Sequence, residues 1–244
     1  MRIQVINPNT TASMTRSIGL AAQAVAAPGT EIIAVNPHSG PVSIEGHYDE
    51  AVSAVALLEN IRQGEAAGVD GHVIACFGDP GLLAAREMAS GPVIGIAEAA
   101  MIAASLIATG FSIVTTLERT RIIAQHLVNN YGMHHRCRAI RACEIEVLAL
   151  EDSQSNAYQC ILEHCRQARD EDGAGAIVLG CAGMTDLTVR LRDALGIPVI
   201  DGVGAAVKLV EALVALSLGT SKHGDLAWPR AKPYTGIFAA LEPR

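Results

Sequence analysis

The chain has 244 residues with 18 Lys and Arg against 25 Asp and Glu, a net charge of −7, and nowhere gathers the clustered cations that a phosphate backbone requires. Nucleic acid is therefore not expected as a partner. Half of the residues are hydrophobic but only 3% are aromatic, so the interior must be built from Ala, Val, Ile and Leu, the usual filling of α/β layers.

The N-terminal Met1-Arg2-Ile3-Gln4-Val5-Ile6-Asn7-Pro8-Asn9 turns polar after a few apolar residues, too few for the core of a signal peptide. A cytoplasmic protein is expected. Short β-branched runs then alternate with longer Ala-, Leu- and Glu-rich segments. In the first half this predicts strands at 3–6, 31–35 and 72–75 with helices at 11–26, 48–67 and 82–88. The longest apolar stretch, around 97–110, is broken by Glu98, Ser105 and Thr109 and falls short of the roughly 20 residues of a membrane span, so no membrane partner is expected. In the second half strands are predicted at 111–115, near 146–150 and at 176–179. Helices are predicted at 117–131, 156–171, 185–194 and, last, near 203–218. Such alternation implies an α/β protein with parallel sheets.

The two halves repeat. Gly71-His72-Val73-Ile74-Ala75-Cys76 aligns with Ala176-Ile177-Val178-Leu179-Gly180-Cys181, cysteine on cysteine, at 181 − 76 = 105. Gly91-Pro92-Val93-Ile94 aligns with Ile197-Pro198-Val199-Ile200 at 198 − 92 = 106, and the pairs Ala99-Ala100 and Ala205-Ala206 keep that offset. Ile3-Gln4-Val5-Ile6-Asn7 answers Ser112-Ile113-Val114-Thr115-Thr116 at 108 or 109. A fixed offset across several landmarks signals a duplication. Two Rossmann-like lobes related by a pseudo-twofold axis are expected: 1–97 with about 206–244 as the first, 98–205 as the second, and the active site in the cleft between them.

Ligands in an open parallel sheet sit outside the carboxyl ends of the strands. Cys76 and Cys181 fall there, each followed by small turn-forming residues and then a predicted helix. A helix N-terminus is expected to draw a nearby thiol down from about 8.5 toward neutrality, making it a usable base. Duplicated lobes with one thiol each suit a reaction that removes and returns a proton on opposite faces of one carbon. One thiolate would take the proton from a carbon beside a carbonyl, and the other thiol would protonate the far face. If donors such as Asn7, Thr115 and Thr116 hold the enolate oxygen, no cofactor is needed.

Other readings differ in strength. A strand-end cysteine taken alone is more often a small buried hydrophobe; the matched pair reverses that preference. Asn7 and Thr116 also suit ordinary capping and turn chemistry. Ile44 suits a core position, and His47, Tyr48, Asp49 and Glu50 suit a solvated helix start. The six cysteines read as reduced thiols rather than a disulfide framework. His134, His135, Cys137 and Cys143 form one possible metal cluster, and Cys160, His164 and Cys165 another. Neither has paired zinc spacing, and Arg136, Arg138 and Arg141 oppose a cation at the first, so no metal is expected. Gly202-Val203-Gly204 resembles a dinucleotide loop, but Val207 stands where its third glycine would be.

Asn7-Pro8-Asn9-Thr10, Ser43-Ile44-Glu45-Gly46-His47-Tyr48-Asp49, Ala75-Cys76-Phe77-Gly78-Asp79-Pro80-Gly81, Val114-Thr115-Thr116 and Leu179-Gly180-Cys181-Ala182-Gly183-Met184 together resemble the hydantoin racemase family of the Asp/Glu racemase superfamily, in order and nearly end to end. The resemblance implies an Asp/Glu racemase fold, two-base racemisation of 5-substituted hydantoins by Cys76 and Cys181, and a homo-oligomer. It also implies that Ser43 and Ile44 face the 5-substituent, and that Asn7, Phe77, Gly78, Thr115, Thr116, Gly180, Ala182 and Gly183 hold the ring. Through residues 91–101 and 220–227 the chain looks closest to the allantoin racemases, whose small-molecule substrate is a hydantoin with a ureido group. Alkyl or aryl hydantoins are the alternative substrates. Rival activities are a one-cysteine isomerase or decarboxylase, and a two-lobed binding or sensor protein.

Overall fold

The computed structural model describes residues 1–152 and 155–243; Arg244, the last residue assigned to the first lobe, lies outside them. The β-branched runs form β1 (Arg2–Ile6), β2 (Glu31–Val35), β3 (Gly71–Ile74) and β4 (Val93–Gly95), paired in parallel in the order β2-β1-β3-β4. A second parallel sheet has the order β6-β5-β7-β8, from β5 (Phe111–Thr115), β6 (Cys137–Ala142), β7 (Ala176–Leu179) and β8 (Val199–Ile200). The central strands β1, β3, β5 and β7 are buried along almost their whole length because helices cover both faces, and Gln4, His72, Ser112 and Thr115 are buried with their apolar neighbours.

The helices are α1 (Ala12–Val25), α2 (His47–Ala66), α3 (Leu82–Met88), α4 (Ile96–Ile107), α5 (Glu118–Asn130), α6 (Ala157–Asp170), α7 (Thr188–Leu195) and α8 (Gly202–Ala215). No helix is long and apolar enough to cross a membrane, among the described residues. The repeat carries into the architecture: β2 and β6 start at 31 and 137, β4 and β8 at 93 and 199, and α4 and α8 at 96 and 202, each pair 106 apart, while β3 and β7 start at 71 and 176, 105 apart.

Two expectations are corrected. The run near 146–150 is not a strand but a 3-10 turn, Val147–Glu151, and the edge strand is β6. β6 was concealed by Arg138 and Arg141, which interrupt its apolar pattern as an edge strand permits, although the 106-residue repeat of β2 points to it. The helix predicted at 185–194 is a 3-10 turn, Ala182–Leu187, followed by α7.

Packing crosses between the halves. Ala97, Ala100, Met101 and Ala104 of α4 lie with Phe111, Ile113, Ala176 and Val178 of the second sheet. Val203, Ala206, Val207 and Val210 of α8 lie with Ile3, Val5 and Val73 of the first. Each of these two helices thus follows one sheet and covers the other. Where they approach, a Cβ on Gly202 would stand 2.5 Å from the carbonyl oxygen of Ile96, so only glycine fits. This is what Gly202-Val203-Gly204 serves: a close helix crossing and an N-cap, in which the Asp201 carboxylate accepts from the Val203 and Gly204 N–H groups at 3.0 and 2.7 Å.

Candidate active site

The carboxyl ends of β1 and β3 in one sheet and β5 and β7 in the other converge on a single cleft. It is lined from the first half by Asn7, Asn9, Met14, Ile44, Glu50, Ala75, Cys76, Phe77 and Gly78. From the second half come Thr115, Thr116, Thr120, Ile123, Val147, Gly180, Cys181 and Ala182. Cys76 and Cys181, 105 residues apart, therefore share one cavity because each ends the equivalent strand of its sheet. Of the residues expected to hold a ligand, Asn7, Ile44, Phe77, Gly78, Thr115, Thr116, Gly180 and Ala182 line the cleft, whereas Ser43 and Gly183 do not. Gly183 lies behind Cys181, its backbone N–H bonded to that thiol.

Both thiols are raised, not lowered. Burial is the main cause for each: protein shields the sulfurs from bulk water and disfavours the thiolate. Backbone hydrogen bonds from Gly78 to Cys76 and from Gly183 to Cys181 oppose this without overcoming it. Cys181 is pushed up to about 11, with the Glu45 carboxylate adding to the effect. Cys76 is pushed further, by burial first and then by the charges of Glu50, Cys181 and Asp79. The expected helix dipoles are weak because Cys181 heads a 3-10 turn and the helix after Cys76 begins only at Leu82.

The hydroxyl and amide groups are partly committed. Asn7 Nδ2 donates to Asn9 Oδ1 at 2.8 Å and to Thr15 Oγ1 at 3.0 Å, which fastens the Asn-Pro-Asn turn to α1. Thr115 Oγ1 lies 3.1 Å from Thr120 Oγ1 and 3.2 Å from the Gly180 carbonyl. Gly180 is required there, because a Cβ would stand 2.7 Å from that of Thr115. Thr116 holds the neighbouring loop through its carbonyl, which accepts from the Cys143 N–H at 3.0 Å.

Sequence reasoning missed Glu50, which had read as part of a solvated helix start. Its side chain is only 18% exposed, it lines the cleft, and a Cβ on Gly78 would collide with its carboxylate. Burial raises its pKa, with His47 opposing. The available signal was helical phase: Glu50 precedes the buried Ser53, Leu57 and Ile61 on one face of α2.

The cleft joins two half-buried thiols, one from each half, with hydroxyls at the end of β5 and the Glu50 carboxylate, an arrangement able to move a proton across a small polar ligand. A family model described as Asp/Glu/Hydantoin racemase matches residues 3–210. Allantoin racemase from Klebsiella pneumoniae is 63% identical, with a TM-score of 0.98 and complete coverage of both chains. Allantoin racemase from Pseudomonas fluorescens is 39% identical with a TM-score of 0.93, covering 97% of this chain and all of that one. Hydantoin racemase of Rhizobium meliloti is 52% identical over 236 residues, 97% of this chain and 98% of its own.

Proposed function

The chain belongs to the Asp/Glu/hydantoin racemase family, and from that premise we propose that it interconverts the two enantiomers of allantoin by two-base racemisation at C5. The observation that carries the reading is the entry of Cys76 and Cys181 into one cleft from equivalent strand ends of two sheets. In one direction the Cys76 thiolate takes the C5 proton, and the electron pair of the C–H bond delocalises onto the adjacent ring carbonyl. The Cys181 thiol then gives its proton to the opposite face of C5, leaving Cys76 protonated and Cys181 as thiolate. The reverse direction exchanges the roles. The C–H is acidified by its own carbonyl, so the step calls on no metal or organic cofactor.

The elevated thiol pKa values fit this chemistry. A thiolate whose conjugate acid titrates near 11 is a stronger base toward a carbon acid than one titrating near 7, although less of it exists at neutral pH. The Thr116 hydroxyl is a donor for the developing oxyanion, whereas the Thr115 hydroxyl proton is held by the Gly180 carbonyl. In this reading Asn7 shapes the wall that those groups face, since its amide is held by Asn9 and Thr15.

The choice of allantoin is supported by the 63% identity to an allantoin racemase, against 52% to a hydantoin racemase, and by Glu50. The cleft beside Gly78 holds the partly buried Glu50 carboxylate, an acceptor suited to the N–H groups of a ureido tail. An alkyl or aryl substituent would desolvate that carboxylate and leave it with His47 alone as a partner. The test follows circular dichroism of purified protein mixed with (R)- and then (S)-allantoin, alongside benzyl and isobutyl hydantoins, above the uncatalysed background. Decay of both allantoin signals with little effect on the others is expected; faster decay of the benzyl or isobutyl compounds would move the substrate to that class.

A further inference from the structure

Four of the six cysteines lie outside the cleft, and two of those gather with a histidine. Cys143 follows the end of β6, and its backbone N–H donates to the carbonyls of Thr115 and Thr116 at 3.1 and 3.0 Å. Cys160 and His164 stand four residues apart on α6, on one face of the helix. Cys160 Sγ donates to the Cys143 carbonyl at 3.3 Å and lies 3.9 Å from His164 Nδ1. One ligand atom from each of Cys143, Cys160 and His164 falls within 4.8 Å of the other two.

These residues belonged to two different clusters along the chain, neither with the spacing of a metal site; the β6–α6 packing merges them. Of the three arginines thought to oppose a cation, Arg141 is ion-paired with carboxylates and Arg136 is tied to a backbone carbonyl. Arg141 makes paired contacts with Asp172 at 2.7 and 2.8 Å and a third with Glu171 at 2.9 Å, and Arg136 donates to the Ser105 carbonyl.

We propose that Cys143, Cys160 and His164 form a binding site for a thiophilic d10 cation such as Zn2+ or Cd2+, on the far side of the β5 strand end from the cleft. Zinc bonds of about 2.3 Å to sulfur and about 2.0 Å to nitrogen, at tetrahedral angles, set ligand atoms about 3.5–3.8 Å apart. The observed spread contracts to this by side-chain rotation. Cys143 is buried and Cys160 and His164 are half-buried, so the ion enters from the α6 side with one position left for water. Binding releases the two thiol protons, and His164 gives up the 3.0 Å contact of its Nδ1 with the Cys160 carbonyl.

The cleft thiols also attract soft metals, so the test uses the full-length Cys76→Ser/Cys181→Ser protein, reduced and metal-free, titrated with Cd2+ while the ultraviolet thiolate-to-cadmium charge-transfer band is recorded. One equivalent per chain, a saturating band and the release of protons are expected. Adding Cys160→Ser should abolish the band, and adding His164→Asn should weaken binding by at least about tenfold, whereas Cys137→Ser should leave both unchanged. A double variant that retains native circular dichroism and gives no saturable band overturns the site, and so does a band that survives Cys160→Ser or disappears with Cys137→Ser.

Discussion

The turns after Cys76 and Cys181 occupy equivalent places in the two halves and reach the same end by exchanged means. In the first half Asp79, three residues after the cysteine, sends its carboxylate to the N-terminus of α4, accepting from Ala97 and Glu98 N–H at 3.1 and 3.0 Å. The residue before that helix is Gly95, and a Cβ on it would collide with this carboxylate. In the second half the residue before α8 is Asp201, which caps its own helix and accepts from Thr185 Oγ1 at 2.8 Å. The offsets agree, 185 − 79 = 106 and 201 − 95 = 106, so a carboxylate and its small partner have traded places between the repeats.

Either way a carboxylate satisfies the first N–H groups of the helix that crosses to the other sheet and fastens that helix to a thiol-bearing turn. The difference lies in coupling. Asp79 also accepts from the Tyr131 hydroxyl at 2.7 Å, which ties the Cys76 turn to the end of α5 in the other half. Burial raises Asp79 to about 7, so the first turn carries a titratable group near neutrality. Like charge from Glu50 and Asp79 also holds Cys76 higher than Cys181, whose neighbour is Glu45.

The largest expected effect tests whether the two thiols are equivalent. Cys76→Ser and Cys181→Ser should each lower racemisation in both directions by about a thousandfold or more, yet each should still exchange C5–H for deuterium in one enantiomer, and not the same one. Proton NMR in deuterium oxide reads this directly; exchange of the same enantiomer by both variants would break the two-face arrangement.

The next concerns pH. Because both thiols are raised, the thiolate fraction grows as pH rises, so kcat/KM should climb about tenfold per unit from pH 6 to 9 with no plateau near 7. A bell centred near neutrality would mean that the free enzyme holds a thiolate against the burial described above. Glu50→Leu sharpens the contrast between the walls: allantoin should lose about tenfold in kcat/KM relative to benzyl hydantoin, measured by competing the two substrates. An unchanged ratio would remove Glu50 from substrate choice.

The smallest effect addresses the exchanged carboxylates. Asp79→Gly, which suits the positive φ of 45° at this position, leaves buried N–H groups of α4 unpaired and should lower unfolding stability by about 1–3 kcal/mol. Adding Gly95→Asp, which places the carboxylate where the second half has Asp201, should recover a large part of that loss in urea unfolding. A double variant less stable than Asp79→Gly would show that the halves are not interchangeable there.

Much of this was legible in the residues themselves. The parallel α/β pattern, the repeat and the strand ends carrying Cys76 and Cys181 follow from β-branched runs and glycine-rich turns, which are local properties of the chain. Most of the expected cleft lining is found in the cleft for the same reason, since strand ends in a duplicated parallel sheet must converge. β6 escaped because an edge strand tolerates the arginines that hide its pattern. Glu50 escaped because helix faces are assigned by what packs on them, and nothing local tells a solvated acidic turn from one facing a cleft. The direction of the thiol pKa shifts, the merging of Cys143 with Cys160 and His164, and the crossing of α4 and α8 onto opposite sheets were decided only in three dimensions. Burial, ion pairing and the approach of helices depend on residues from 17 to 106 positions away, and no local signal along the chain reports them.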